Sequence, residues 1–314
     1  MKQNFVNMLI ILGSFLVINS CEDPDPASYL RHDNALKLEI SLSGSLQNPA
    51  FSPDGEAIVF TRFRNGYNIE PADIFIYNIE SQTIDTLVME GSANVNLPGS
   101  CWNELSESIV FSSSRDPHDE IYKIDEDGVP GEETLITNRS DYMAYEPTFS
   151  SDGEWIVFES HPLDVENQGV IMKHKIDNNI TYHALTDAED DCRQPNWSPS
   201  GNYILFQKYD DRQWDIWIMK SDGSDKKKVT SGSGDKTDAC FTYDDQFIIY
   251  SCDSDLEFAN IYKISINGGN PERMTNYDGY DGAPSISPDG SKLSFESYGG
   301  DPDDSKGTNI YILN

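Results

Sequence analysis

The feature that most constrains this chain is a six-fold internal repeat. Large residues at Phe51, Trp102, Phe149, Trp197, Phe241 and Ile286 are each followed nine residues later by a ring: Phe60, Phe111, Phe158, Phe206, Tyr250 and Phe295. Seven residues after each anchor stands Ile58, Ile109, Ile156, Ile204, Ile248 or Leu293. Between anchor and ring, Ser52-Pro53-Asp54-Gly55 and Ser287-Pro288-Asp289-Gly290 spell tight turns. Proline presets φ at the second turn position, Asp bonds its local backbone, and Gly accepts positive φ. Two copies depart from that turn, Asn103-Glu104-Leu105-Ser106 and Thr242-Tyr243-Asp244-Asp245, yet keep the ring spacing.

A third apolar run follows in every copy, for example Ile74-Phe75-Ile76-Tyr77 and Ile216-Trp217-Ile218-Met219. A fourth short strand follows in five copies, among them Lys228-Val229-Thr230 and Arg273-Met274-Thr275. Four antiparallel strands recurring at about 45 residues are the signature of propeller blades. Second strands such as Ile58-Val59-Phe60 and Ile204-Leu205-Phe206 are apolar on successive positions, so both faces need cover, as in a blade between two neighbours. The sixth copy ends at Asn314 without a fourth strand, and Leu36 to Leu42 supplies a donor. The expectation is an all-β, six-bladed β-propeller of four-stranded antiparallel blades over 36–314, closed by that N-terminal strand so that no edge is left unpaired.

Residues 1–20 carry Lys2 and an apolar run from Phe5 to Ile18 that is too short to span a bilayer, and read as a signal peptide. Ile18-Asn19-Ser20-Cys21 resembles a bacterial lipobox, which implies cleavage before Cys21 and lipidation of its thiol; a plain secretory leader is the alternative. Residues 21–35 open with Glu22-Asp23-Pro24-Asp25-Pro26, an acidic, proline-broken tether. Acidic residues after the Cys also resemble the export signal of surface lipoproteins. The expected location is the outer membrane, periplasm-facing or cell-surface, with membrane contact through the lipid anchor only and a monomeric chain.

The run Pro195-Asn196-Trp197-Ser198-Pro199-Ser200-Gly201, then Asp215-Ile216-Trp217-Ile218-Met219 and Val229-Thr230, resembles the WD40-like (PD40) repeat of the TolB propeller family. Those residues make turns and inter-blade packing, so the resemblance implies a fold more than a function. In that family TolB carries an α/β domain before its propeller, and prolyl oligopeptidase-like enzymes join similar propellers to an α/β-hydrolase domain. The expectation here is a propeller alone, on a lipid anchor.

With 54 Asp+Glu against 22 Lys+Arg the formal net charge is -32, which excludes a nucleic-acid binder that neutralises phosphates with clustered cations. No nucleophile elbow and no His-Glu-x-x-His occurs. His118 and His161 fall in corresponding loops of adjacent blades, where a shared site is conceivable and solvated loop histidines are the bland reading. Cys101 and Cys240 belong to opposite blades; Cys192 and Cys252 could bridge adjacent ones, or all four could stay buried thiols.

The acids concentrate in second-to-third-strand loops (Asp116, Asp119, Asp164, Asp210, Asp211, Asp301, Asp303, Asp304) and in inter-blade connections, all on the face opposite the Ser-Pro-Asp-Gly turns. Candidate contact residues, from the starts of inner strands nearest the axis, are Tyr145, Glu146, Asp191, Arg193, Asp238 and Asp281. No cofactor is implied; carboxylate oxygens could hold Ca2+, though no EF-hand run is present. The reading is a lipid-anchored, non-catalytic module that binds an envelope protein or glycan through its top face or axial funnel. The alternative is a carbohydrate-active hydrolase or lyase using funnel carboxylates.

Overall fold

Each copy of the repeat forms one antiparallel sheet in the computed structural model, which describes residues 35–314 apart from 90, 98–100, 166, 178–180, 254–257, 277–278 and 299–306. The signal peptide, Cys21 and the tether up to residue 34 lie outside the described residues, as do Asp301, Asp303 and Asp304. Blade 4 shows the plan: Cys192–Trp197 nearest the axis, then Tyr203–Asp210, Gln213–Lys220 and Lys227–Lys228 outward. The other inner strands are Ser45–Phe51, Tyr142–Phe149, Lys236–Phe241 and Tyr280–Ile286, while that of blade 2 is split into Val95–Asn96 and Trp102–Asn103.

Turn chemistry explains why the repeat tolerates its two departures. Ser52 Oγ donates to Asp54 Oδ1 at 2.6 Å and accepts from Ala57 N at 2.9 Å, with Gly55 at φ 75°. Thr242 Oγ1 makes the same bond to Asp244 Oδ1 at 2.7 Å, and Asp245 takes the positive φ, 56°, in place of glycine. In blade 2 the Asn103 carboxamide oxygen accepts from Ser106 N at 2.8 Å instead.

Within blades, the ring of the second strand lies opposite a ring of the third, as in Phe60–Phe75, Phe111–Tyr122 and Phe295–Tyr311, each with centroids 5.8 Å apart. Such cross-strand aromatic pairs add to the area they bury. Between blades the apolar faces merge: Leu205, Ile216 and Ile218 of blade 4 pack on Ile248, Tyr250 and Ile264 of blade 5. A threonine two residues past the end of each of four fourth strands is also fixed by structure. Thr137, Thr186, Thr230 and Thr275 accept from the backbone N–H of Ile121, Ile171, Ile216 and Ile261 at 2.8–2.9 Å, tying the fourth strand to the third.

The ring closes as the sequence predicts, through a shorter strand. Ala35–Lys37 pairs antiparallel with Asn309–Leu313, completing blade 6, and Leu38 N bonds Ile310 O at 2.9 Å. The third strand of blade 6 begins at Asn309, where the ladder ends among the described residues. Ile40 N then bonds Leu38 O and Leu42 N bonds Ile40 O, both at 2.9 Å, a pair of three-residue turns. Leu38, Ile40 and Leu42 thereby pack on Leu46, Phe60, Phe75, Tyr77 and Ile310, across the seam of blades 6 and 1.

Cys101, Cys192, Cys240 and Cys252 are buried and carry no disulfide. Cys192 packs with Val157, Ile171 and Trp197 on the blade 3 side of blade 4, whereas Cys252 packs with Ile216, Ile248 and Tyr262 on its blade 5 side. Blade 4 itself separates the two thiols, which removes the bridge the spacing allowed.

Candidate functional site

A strand bulge repeated around the axis builds the funnel. Three residues before the anchor, Asn48, Glu146, Gln194, Asp238 and Ala283 have φ of 52, 50, 46, 52 and 45°, a left-handed conformation that is costly for a side chain with Cβ. Pro49, Pro147, Pro195 and Pro284 follow four of them and cannot donate to a ladder. Register accordingly skips between Gln47 and Ala50, Tyr145 and Thr148, Arg193 and Asn196, Thr237 and Cys240, and Gly282 and Ser285. A bulge re-aims its side chain and leaves its N–H unpaired.

The preceding blade receives that N–H. Asn48 N donates to Glu296 Oε2, Gln194 N to Glu159 Oε2 and Asp238 N to Gln194 Oε1, each at 2.9 Å. Asn48 Nδ2 donates to Asn96 Oδ1 at 2.7 Å, and Asn96 in turn donates to Glu146. A second ring of bonds sits one layer lower, where Phe51 N, Trp197 N and Phe241 N donate to Ser285 Oγ, Thr148 Oγ1 and Asn196 Oδ1 at 3.1–3.4 Å. Polar side chains near the axis are thus partly consumed in stitching blades together.

Three of the stitching side chains, Glu146, Glu159 and Gln194, also line a cavity of about 750 Å³ on the top face between blades 3 and 4. Its walls are Met143, Tyr145, Glu146, Glu159, His161, Leu163, Asp164, Val165, Asn167, Arg193, Gln194 and Gln207. Glu146 and Gln194 also line a narrow space of about 40 Å³ at the axis, together with Asn48, Leu97 and Asp238. The sequence-predicted residues therefore divide. Tyr145, Glu146 and Arg193 meet in the larger cavity, and Asp238 lies in the axial space beside Glu146. Asp191 is a positioning residue: its carboxylate accepts from Gly169 N at 2.9 Å and from Arg193 at 3.1 and 3.2 Å. Asp281 lines neither space; five residues before the anchor it is buried, with its N–H on Ala259 O at 2.9 Å.

The loop assignment holds for His118 and is corrected for His161. His161 is in the strand Trp155–Pro162, buried, with Nε2 against Glu159 Oε1 and the Tyr145 ring edge-on at 5.9 Å. His118 Nε2 instead meets Arg139 O at 2.7 Å. The two form no shared site. Sequence reasoning missed Glu159, Gln207 and Glu296, which all stand one residue after the second-strand ring, where the other copies carry Thr61, Ser112 and Ser251. A polar residue recurring directly after three apolar ones was the signal available. Among the described residues no group of three or more His, Cys, Asp or Glu is disposed to hold a metal ion.

Acids at the axis are held toward their protonated forms. Burial first, then the charges of Glu159 and Asp238, keep the Glu146 carboxyl well above the usual range. Burial also raises Asp238, against hydrogen bonds from Thr237 and Gln194. Glu296, 2% exposed, is pushed up by burial to about 7 although Asn48 N–H, Tyr280 and Tyr67 bond to it; the Tyr67 hydroxyl lies 3.3 Å from Oε1. Because this value lies above the ordinary 4.5, the folded chain holds the proton over that window. The associated stability is complete below pH 4.5 and lost as pH rises through about 7, amounting to about 3 kcal/mol at most. Melting temperature should accordingly fall between pH 5 and pH 8, and Glu296→Gln, which keeps an acceptor for Asn48 N–H, should flatten that fall by roughly 5 °C. An unchanged slope in the variant would remove Glu296 as its source.

Six four-stranded blades closed by an N-terminal strand define a β-propeller, with the cavity between blades 3 and 4 and a second one of about 570 Å³, lined by Tyr67, Ile69, Phe258, Tyr280 and Tyr298, on its top face. The family described as the TolB beta propeller domain (PD40) matches residues 29–208 and 131–304, and the chain belongs to it. An uncharacterized protein of Agrobacterium fabrum is 28% identical over 166 residues, 51% of this chain and 53% of that protein. The Tol-Pal system protein TolB of Francisella tularensis subsp. holarctica is 24% identical over 163 residues, 52% of this chain and 35% of the relative. The matches thus span about half the length of the first relative and about a third of the second. Among solved structures, a putative TolB from Agrobacterium tumefaciens superposes with a TM-score of 0.63 at 16% identity, covering 85% of this chain and 89% of that one, which is a likeness of fold.

Proposed function

We propose that this protein is a lipid-anchored, non-catalytic cell-envelope module whose top-face funnel binds a partner protein or glycan. One observation carries the reading: Glu146 and Asp238 are held at the axis on left-handed backbone, and neither forms a salt bridge among the described residues. Carboxyls kept at the axis without a cation are poorly explained as stabilising features; they fit a recognition surface on which a bound partner supplies what they lack. The likeness to a protein named for the Tol-Pal system supports an envelope protein as that partner. The lipobox supports anchoring through Cys21, on the periplasmic or outer side of the outer membrane.

The reading is tested by capture from envelope extract with residues 28–314, beside a Glu146→Gln/Asp238→Asn variant. Both changes are isosteric and relieve raised carboxyls, so folding should be kept while capture falls. A second reading, glycan cleavage, is favoured by the contact between Glu159 and His161 beside Tyr145 in the cavity. It would require measurable turnover that vanishes in Glu159→Gln, whereas a binding module has affinity to lose and no turnover.

A further inference from the structure

We infer that the cavity between blades 3 and 4 receives a basic side chain, Lys or Arg, carried on an extended segment of the partner protein. The inference rests on the funnel being the recognition surface and specifies what it recognises. Three features point to a multi-donor cation. First, carboxyl groups outnumber basic side chains: Glu146, Glu159 and Asp164 line the cavity against Arg193, already held by Asp191 at 3.1 and 3.2 Å, and His161, whose Nε2 meets Glu159 Oε1; a cation in the cavity would draw the Glu146 carboxyl into its charged form. Arg193 also lies over the Trp214 ring at 5.0 Å, so its position is fixed from two sides.

Second, Gln207 is 6% exposed, lines this cavity, and its Oε1 has no hydrogen-bond partner among the described residues. A buried acceptor without a donor is unfavourable, and a ligand N–H reaching it would supply the missing bond. Gln207 pairs with Arg193 across the strands, so this acceptor stands beside the guanidinium that closes one side of the cavity. Third, the acids are not disposed as a metal cluster, and a spread of acceptors suits an ammonium or guanidinium with several N–H groups better than a bare ion.

The apolar part of the wall suits the rest of such a side chain. Leu163 and Val165, each 40% exposed, stand at the rim with Met143 and the Tyr145 ring below them. A methylene stem lies along such surface while its charged head goes to the polar end, and an aromatic face adds attraction for the cation. The field of a chain with net charge -32 draws basic segments and repels anionic ones.

The test uses the pentapeptide acetyl-Gly-Lys-Gly-Arg-Gly-amide and its neutral counterpart with norleucine and citrulline, titrated against residues 28–314 by calorimetry. The basic peptide should bind at least tenfold more tightly than the neutral one. Affinity should drop at least fivefold in Glu146→Gln/Asp164→Asn and in Gln207→Leu, but stay unchanged in Asp85→Asn/Asp127→Asn, which removes two carboxyl groups from exposed positions on blades 1 and 2. Equal binding of both peptides, no binding of either, or equal loss in the Asp85/Asp127 variant would overturn the inference. Preference for Ca2+ alone, with no peptide binding, would overturn it in favour of a metal. An envelope partner captured through the funnel despite a peptide that does not bind would leave the recognition surface standing and refute its basic specificity.

Discussion

A chain beginning at Ser43 should be less stable than one beginning at Ser28 by about 5 kcal/mol, lowering the melting temperature by roughly 10 °C. The physical reason lies in the seam between blades 6 and 1. Removing 35–42 strips the outer partner from Asn309–Leu313, whose Ile310, Tyr311 and Ile312 are buried, and takes away the bonds between Ala35–Lys37 and that strand together with Leu38 N to Ile310 O. It also uncovers Phe60, Phe75 and Tyr77 of blade 1, on which Leu38, Ile40 and Leu42 rest. Each such side chain contributes on the order of 1–2 kcal/mol by area and each backbone bond about 1 kcal/mol. A second latch would remain: Ser45 Oγ with Thr308 N at 2.9 Å, and Leu46 N with Thr308 O at 2.9 Å. The shortened chain should therefore still fold, with a lower and broader transition. Equal melting temperatures would mean that the N-terminal strand decorates blade 6 rather than closes the ring.

Asp215→Ala should cost about 3–5 kcal/mol, the largest effect expected from a single substitution away from the hydrophobic core. Asp215 is fully buried at the start of the third strand of blade 4, and burial alone would raise its pKa. Hydrogen bonds outweigh that and hold its carboxyl below the ordinary value: Lys228 Nζ at 2.7 Å, Gln213 Nε2 at 2.9 Å, Thr230 Oγ1 at 2.9 Å and Lys236 Nζ at 3.1 Å. Lys236 is itself 2% exposed, so deleting the carboxylate leaves a buried ammonium whose one remaining partner among the described residues is Gly232 O, at 2.7 Å. Adding Lys236→Met should restore much of the loss, because the orphaned charge is the main penalty. Chemical denaturation of the three variants measures both steps; a full-sized loss that Lys236→Met does not relieve would assign the effect to packing instead. The acid recurs at the same place in blades 1 and 2, where Asp73 pairs with Arg64 and Arg62, and Glu120 accepts from Thr137 Oγ1.

Blade number, strand order and ring closure were legible because they depend on spacing: anchor, ring and turn recur regardless of the surrounding residues. Even the odd turn at Thr242 to Asp245 fell into line, since Thr and Asp reproduce the bonds of Ser and Gly. The funnel was legible only in outline. Proline after Asn48, Glu146, Gln194 and Ala283 marked an interruption, but a bulge adds residues to one strand only, and alternation cannot be counted through it. For that reason Asp281 and Asp191 could not be told apart from Glu146 and Asp238 as funnel residues. His161 looked like a loop residue because the second strand of blade 3 runs on to Pro162. Glu159 and Glu296 reach the axis from the second strand, and their role follows from a neighbour's freed N–H, a relation between blades that no single repeat displays; Gln207 stands at the same place without such a partner.

The most direct test of the account is the capture experiment with residues 28–314 and Glu146→Gln/Asp238→Asn, both shown by circular dichroism to be folded. The account predicts an envelope partner held by the unmodified chain and lost, by at least tenfold, from the variant. Undiminished capture by the variant would contradict it, placing recognition on a side or bottom surface of the propeller and leaving the axial acids without a part in binding.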